Sequence, residues 1–257
     1  MLQRELRPGE RLAGSVFATG SAGTIAAGDY LKKLFPESKL AASEALQCPT
    51  LLQNGFGSHR IEGIGDKHVP WIHNVKNTDM VMAIDDEVPI QMIRLFNEPE
   101  GQKYLVQMGV PESQVTNLPL IGISGAANIA SAIKMAKWYE WGEGDVIVTV
   151  LTDSMELYGS RLAELTAERG PYTARDAAIS YHQYLMGLST DYMEELTYPA
   201  RKRIHNLKYY TWVEQQGKTY EEIQAQWYQK DYWTRIQSQV DEIDALIEEF
   251  NARVGLL

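Results

Sequence analysis

The residues best suited to chemistry form one small-residue loop near the N-terminus. An apolar run at 14–18 precedes the loop, and a helical pattern at 25–35 follows it until Pro36. The first N–H groups of a helix lack intrahelical partners and lie at the positive end of its dipole, so such a loop can bind an anion. Spacing alone leaves a tight turn without a ligand equally open. The loop consists of Thr19, Gly20, Ser21, Ala22, Gly23 and Thr24.

The sequence of this loop narrows the kind of anion. A P-loop needs a lysine directly after its last glycine to reach a triphosphate, whereas Gly23 is followed by Thr24 and Ile25. The dinucleotide fingerprint Gly-x-Gly-x-x-Gly is also absent. A single phosphate group, such as that of pyridoxal phosphate, remains as the ligand that the loop can accept.

Strand and helix patterns alternate over the first part of the chain, which predicts an α/β fold with a three-layer, mainly parallel sheet. After Leu165 strand signals end and helical spacing dominates, so we predict a domain at 1–165 and a helical C-terminal extension at 166–257. Residues 97–117 form a long excursion from the sheet. The predicted strands are 14–18, 39–43, 80–84, 118–123 and 146–151, and the later predicted helices are 176–185, 192–210 and 236–254.

Bulk composition excludes several classes of protein. A net charge of −10 disfavours binding to nucleic acid, which would need a basic face. Cys48 is the only cysteine, so an intramolecular disulfide is impossible. The stretch 1–8 does not resemble a signal peptide, and no apolar run approaches the ~20 residues of a membrane span. We expect a soluble cytoplasmic protein.

Four segments in the same order resemble the cysteine synthase and cystathionine β-synthase family, the fold type II pyridoxal-phosphate enzymes. Residues 16–25 resemble the family's cofactor-phosphate loop. Residues 58–65 resemble its His-Lys-Ile-x-Gly-Ile-Gly segment, and 122–128 resemble Gly-Ile-Ser-Ser-Gly-Ala. Residues 144–154, together with Tyr158, resemble the strand that ends in Pro-Asp/Ser-Ser. The resemblance implies the C-terminal half of a tryptophan synthase β-like large domain, incomplete at its first strands.

The resemblance also implies the site residues. Ser154 would hydrogen-bond the pyridine nitrogen, and its neutral hydroxyl would favour loss of a β-leaving group over transamination. Asp153 as the ring partner would reverse that argument. Two departures from the family are Ala22 in place of a glycine and Thr152 in place of a proline. The implied cofactor-binding residues are Gly20, Ser21, Ala22, Gly23, Thr24, Gly63 and Ser154.

The Schiff-base lysine of the family is missing. It lies in a Ser-x-Lys-Asp/Asn-Arg-like motif ahead of the phosphate loop, and no such motif occurs in this chain. Lys67, beside Gly65, is expected to be a solvated loop lysine. A split enzyme, a fragment of a longer protein and a non-catalytic relative all remain open. The Met1 start and the C-terminal extension favour a split enzyme, with a second subunit that carries the lysine and the small domain, and with dimerisation of the pair.

The expected function is β-elimination or β-replacement on an amino acid. A pyridoxal-phosphate ammonia-lyase or thiolase is the enzymatic alternative, and a catalytically silent regulatory subunit is the alternative of another class. The three histidines His59, His68 and His73 have no spacing that indicates a metal site. Seven aromatic residues are expected to pack the extension onto the main domain or a partner, namely Tyr209, Tyr210, Trp212, Trp227, Tyr228, Tyr232 and Trp233.

Overall fold

A five-stranded sheet organises the computed structural model, which describes residues 5–256. The first four residues of the lead-in that lacks a signal-peptide pattern therefore lie outside the described residues. The strand order is β4-β1-β2-β3-β5. The strands are β1 (Arg11–Ala18), β2 (Lys39–Ala45), β3 (Met80–Ile84), β4 (Asp145–Val148) and β5 (Met193–Glu195).

Four of the strands run parallel, and only β5 pairs antiparallel, along β3. Apart from Arg11, Lys39 and Glu44, the three central strands consist of apolar and small side chains, almost all of which are buried. This is the composition of parallel strands that are covered on both faces. The predicted α/β class and mainly parallel sheet are confirmed.

Helices connect and cover the strands. The α-helices up to residue 169 are α1 (Gly23–Leu34), α2 (Thr50–Gln53), α3 (Glu87–Asn97), α4 (Pro99–Gln107), α5 (Glu112–Val115), α6 (Ile123–Trp138) and α7 (Gly159–Arg169). Those that follow are α8 (Ala174–Ile179), α9 (Tyr198–Asn206), α10 (Tyr220–Tyr228), α11 (Tyr232–Gln237) and α12 (Val240–Arg253). Short 3₁₀ turns span Val75–Asn77, Leu118–Leu120 and Met155–Tyr158, and π-helical turns span Ser180–Met186 and Tyr209–Val213.

Helices α1 and α6 lie on opposite faces of the sheet. Phe17 of β1 contacts α1 at Gly28. Its neighbour Val16 packs in the core cluster that contains Met135 of α6. Since adjacent strand residues point to opposite faces, the sheet forms the middle of three layers.

Two predictions about strands are wrong. Residues 118–123 form a 3₁₀ turn and the start of α6, because Pro119 cannot donate to a strand ladder. Strands also do not end at Leu165, since β5 lies within the stretch 192–210 that was predicted to be helical, and α9 begins only at Tyr198. A three-residue strand carries too short a pattern to detect, and it is stabilised by its pairing with β3.

The excursion at 97–117 contributes to the core. It contains α4 and α5, and it buries Leu105 and Val115 in the same apolar cluster as Ile93 of α3. This segment covers the sheet face on the α3 and α6 side and is not a solvent-exposed insertion.

The chain divides into two compact units. The described residues up to His205 form the first, and those from Asn206 form the second. Residues 166–205 supply Tyr172, Ala177 and Leu188 to the core of the first unit. The domain boundary after residue 165 stays a prediction.

The second unit has a small core built around a buried lysine. The amino group of Lys208 donates to Gln226 Oε1 at 2.6 Å and lies 5.6 Å from the ring centroid of Trp233. Trp233 Nε1 donates to the carbonyl of Gln226, and Trp227 is buried. Desolvation lowers the pKa of Lys208 well below its usual value. Some of the predicted aromatic cluster therefore packs within this unit.

Across residues 5–256, no helix combines the length and the apolar character that a membrane span requires.

The contact between α1 and the sheet gives a test of the layer arrangement. A Cβ atom at Gly28 would lie 2.4 Å from Leu40 Cδ1 and 2.7 Å from Phe17 Cε2, both on buried side chains. We expect Gly28→Val to lower the free energy of unfolding by about 1–3 kcal/mol through overpacking. Urea denaturation measures this loss. Gly159→Val, where a Cβ meets no atom within 4 Å, is the control and should stay close to wild type.

Candidate cofactor-binding site

A cavity of about 280 Å³ lies at the carboxyl end of β1. The five predicted loop residues and Gly63 all line it, so the fold brings these two distant segments together. Ser154 does not line it. The lining residues are Ala18, Gly20, Ser21, Ala22, Gly23, Thr24, Gly63, Ile64, Ser124, Asn128 and Thr152.

The loop after β1 is fixed at its base and leaves its N–H groups available. Thr19 donates to the carbonyl of Ser43 from its N–H at 2.8 Å and from its hydroxyl at 3.1 Å. Ala22 then takes the left-handed conformation, with φ of 69°, and α1 begins at Gly23. Within residues 5–256 no protein group accepts from the N–H groups of 20–24. This arrangement can bind a phosphate through backbone donors.

A second loop closes the cavity opposite the first. Gly63 and Gly65 both have positive φ, at 83° and 84°, which explains why glycines occupy these positions. The N–H of Gly65 donates to the carbonyl of Thr19 at 2.7 Å, which ties the two loops together. Arg60 holds the same segment through a 2.5 Å ion pair with Asp86 of the turn before α3.

Asn128 of α6 joins the two strands that flank the cavity. Its Oδ1 accepts from the N–H of Ala18 at 2.8 Å, and its Nδ2 donates to the carbonyl of Val150 at 2.9 Å. One partner requires an acceptor and the other a donor, and a carboxamide offers the two on separate atoms. Sequence analysis missed this residue, although it closes the predicted 122–128 segment.

The segment after β4 does not bring Ser154 to the cavity, as the family resemblance implied; Thr152 lines it instead. Asp153 accepts from the hydroxyl of Tyr158, and this hydrogen bond is the main reason that the pKa of Tyr158 rises to about 12. Ser124 and Thr152 line the cavity, with their hydroxyl oxygens 3.1 Å apart. Ser154 is half-buried outside the cavity wall, and its hydroxyl contacts Glu156 at 3.5 Å. The residues facing the cavity from this side are therefore neutral hydroxyls.

A buried carboxylate lies beneath the phosphate loop. Glu44 of β2 shares a small pocket with Thr19 and Gly20. It accepts from the N–H groups of Leu51 and Leu52, each at 2.9 Å, at the start of α2. Burial outweighs these two hydrogen bonds and raises the pKa of Glu44 to about 7.

Neither a lysine nor a metal-binding group is found in the cavity lining that the structure describes. Among the described residues that line the cavity, none is a lysine. Lys67 is exposed, with its amino group 5.6 Å from the ring centroid of Phe56. No group of three or more histidine, cysteine, aspartate or glutamate side chains in residues 5–256 is arranged to hold a metal ion.

The chain has relatives among the cysteine synthases. It is 28% identical to a cysteine synthase of Staphylococcus aureus over 151 residues, which covers 58% of this chain and 43% of the relative. It is 30% identical to cysteine synthase B of Campylobacter jejuni over 140 residues, which covers 54% and 40% respectively. No family model matches the chain.

A solved structure shows the same fold. The crystal structure of a hydrogen sulfide-producing enzyme from Fusobacterium nucleatum matches with a TM-score of 0.50 and 26% identity, covering 70% of this chain and 48% of that chain. Over the matched part, this protein thus has the fold of the fold type II pyridoxal-phosphate enzymes. Within that class its relatives are cysteine synthases, and the chain spans less than half the length of those it matches.

The Asn128 contacts predict a loss of stability when the amide is removed. Asn128→Leu removes the side-chain partner of the N–H of Ala18 and of the carbonyl of Val150, both in half-buried positions. We expect the free energy of unfolding to fall by about 3 kcal/mol, measured by urea denaturation. The exposed Asn117→Leu change, which removes only one hydrogen bond to Ser113, should cost much less. Equal losses for the two variants would contradict the role of Asn128.

The pKa of Glu44 predicts a pH dependence. A carboxyl whose pKa is about 7 in the fold and about 4.5 in the unfolded chain contributes stability below pH 4.5, and this is lost as the pH rises through 7. The difference in unfolding free energy between wild type and Glu44→Gln should therefore shift against wild type by up to about 3 kcal/mol across this window. Denaturation of both proteins across this pH range measures it, and a pH-independent difference would contradict the raised pKa.

Proposed function

We propose that this chain is the cofactor-phosphate-binding part of a pyridoxal-phosphate enzyme that catalyses β-elimination or β-replacement on an amino acid, as its cysteine synthase relatives suggest. The observation that carries the proposal is the loop at 20–24, whose unpaired N–H groups line a cavity opposite Gly63. The Schiff-base lysine is supplied from outside these residues, by a second subunit that also carries the small domain.

The residues present fit pyridoxal phosphate. Five successive N–H groups and the hydroxyls of Ser21 and Thr24 offer donors to one phosphate group, while the dipole of α1 favours its negative charge. The cofactor, when bound, supplies an electron sink for a carbanion at the α-carbon of the substrate. The left-handed Ala22 stands where the family has a glycine, which fits a loop conformation shared with the family.

The wall after β4 favours a neutral partner for the pyridine nitrogen. Asp153 does not line the cavity, and one of its carboxylate oxygens accepts from the hydroxyl of Tyr158. Ser154 is our proposed ring partner, and rotation of its half-buried hydroxyl away from Glu156 would be needed. Ser124 and Thr152 already face the cavity and are the alternatives of the same chemistry.

The unpaired edge of β4 supports the proposal of a second subunit. Among the described residues β4 pairs only with β1, so its outer edge lacks a ladder partner. The unpaired N–H and C=O groups of such an edge can pair with a strand of another chain. Three leucines are exposed in the segments that precede α6 and follow β4, namely Leu120, Leu151 and Leu157. We propose that the chain carrying the lysine covers them, and that the resulting pairs dimerise.

Binding of the cofactor phosphate can be tested on the isolated chain. We expect pyridoxal phosphate to bind, inorganic phosphate to compete, and pyridoxal without the phosphate to bind much more weakly, as measured by equilibrium dialysis. Gly23→Asp should weaken binding at least tenfold, since its carboxylate repels the phosphate. A Cβ there meets no atom within 4 Å, so the variant should fold.

Gly159→Asp is the matched control. Gly159 also begins a helix, is exposed and has open space around a Cβ. This variant should bind like wild type. Equal weakening in both variants, or absence of binding in wild type, would contradict the phosphate site.

The external lysine is tested by borohydride reduction. We expect the isolated chain, mixed with pyridoxal phosphate and reduced, to carry no site-specific lysine adduct and to show no turnover of O-acetylserine. An adduct at one lysine, for example Lys67, together with turnover would show that the chain is self-sufficient. Phosphate-dependent binding without any activity, even in the presence of a lysine-bearing partner, would instead favour the silent regulatory subunit.

A further inference from the structure

Gly20 of the phosphate loop lines two cavities, the one proposed for the cofactor and a second, much smaller one. The small cavity has a volume of about 10 Å³, which is room for about one water molecule. Glu44 of β2 lines it beside Thr19 and Gly20. The carboxyl group of Glu44 is therefore a close neighbour of the backbone donors that an anion on the loop would contact.

Glu44 is a buried carboxyl group that is held by dipoles. Only 2% of this residue is exposed. Its two oxygens accept hydrogen bonds from the backbone N–H groups of Leu51 and Leu52, each at 2.9 Å. Backbone dipoles stabilise a negative charge without cancelling it, so an ionised Glu44 places a full charge beside the loop.

The ionisable groups around Glu44 do not neutralise it. Arg203 of α9 attracts the carboxylate, but its guanidinium donates to two carbonyl groups of α2 and forms an ion pair with Glu194. Strand β3 carries no ionisable residue, β1 carries one only at its opposite end, and those of α1 begin at Asp29 in the second half of the helix. Three further ionisable residues line the small cavity, namely Cys48, Asp66 and His68.

A phosphate group on the loop brings a second negative charge close to Glu44. The small cavity holds only about one water molecule, so little solvent screens the two charges from each other. We propose that binding of a phosphate group to the loop at 20–24 is coupled to protonation of Glu44, which takes up a proton from solvent as the anion binds. The inference rests on the proposed phosphate site. By reciprocity, protonation of Glu44 strengthens anion binding by the same factor.

The direction of the pH dependence follows from the pKa of Glu44. Burial raises this pKa to about 7, and an anion on the loop raises it further. Below this pH the neutral acid does not repel the anion. As the pH rises through 7, the anion must face a carboxylate or bind together with a proton, so its affinity falls.

Sulfate binding to the full chain tests the coupling, because sulfate stays a dianion over the pH range in which phosphate titrates. Equilibrium dialysis should show a Kd for sulfate that rises about fivefold or more between about pH 6 and about pH 8.5. Glu44→Gln, which is neutral throughout, should show less than about a twofold change. The matched control is Glu37→Gln, which removes the same charge at an exposed position before the opposite end of β2 and should keep the wild-type pH dependence.

A second measurement needs no substitution. In NMR spectra of wild-type chain with labelled glutamate carboxyl carbons, one glutamate should titrate at about pH 7. Saturating sulfate should raise the midpoint of this titration by about one pH unit, which corresponds to about a tenfold change in sulfate affinity.

The outcomes separate the coupling from the phosphate site. The coupling is overturned if no glutamate titrates near pH 7, if sulfate leaves the midpoint in place, or if wild type and Glu44→Gln share one pH dependence. Each of these results leaves the phosphate site standing, provided that Gly23→Asp weakens sulfate binding. Absence of sulfate binding, or sulfate binding that Gly23→Asp leaves unchanged, overturns the phosphate site and the coupling with it.

Discussion

The candidate site depends on one buried carboxamide. Asn128 of α6 accepts from Ala18 at the end of β1 and donates to Val150 beyond β4. Beyond their last ladder hydrogen bonds, the two strands are joined through this side chain. Since the phosphate loop follows Ala18 directly, and the hydroxyl-bearing segment follows Val150, the same amide sets the distance between the two walls of the cavity.

The phosphate loop is supported from below and from the side. Ser43 of β2 accepts two hydrogen bonds from Thr19, and Gly65 donates to the carbonyl of the same residue. These contacts fix the base of the loop while its N–H groups remain available for an anion. Glu44 lies beside this support with a raised pKa, so its ionisation costs stability close to the site.

The two walls of the cavity differ in the groups that they offer. One wall provides phosphate donors and the other provides neutral hydroxyls, while lysine is absent among the described lining residues. The sheet ends at β4, next to the segment that carries Thr152. The unpaired edge of β4 and the hydroxyl-bearing wall of the cavity are therefore consecutive parts of the chain, which is the observation behind the proposed partner subunit.

The sequence by itself determined the four parallel strands and the position of the loop at 19–24, because buried strands and helix starts leave short-range patterns. It also located the second glycine loop, through a segment resembling that of a known family. Only the tertiary structure decided the roles of Asn128 and β5, and which hydroxyls face the cavity. Hydrogen bonds and ladder pairs that join residues far apart in the chain leave no local pattern, so their partners are known only once the fold brings them together.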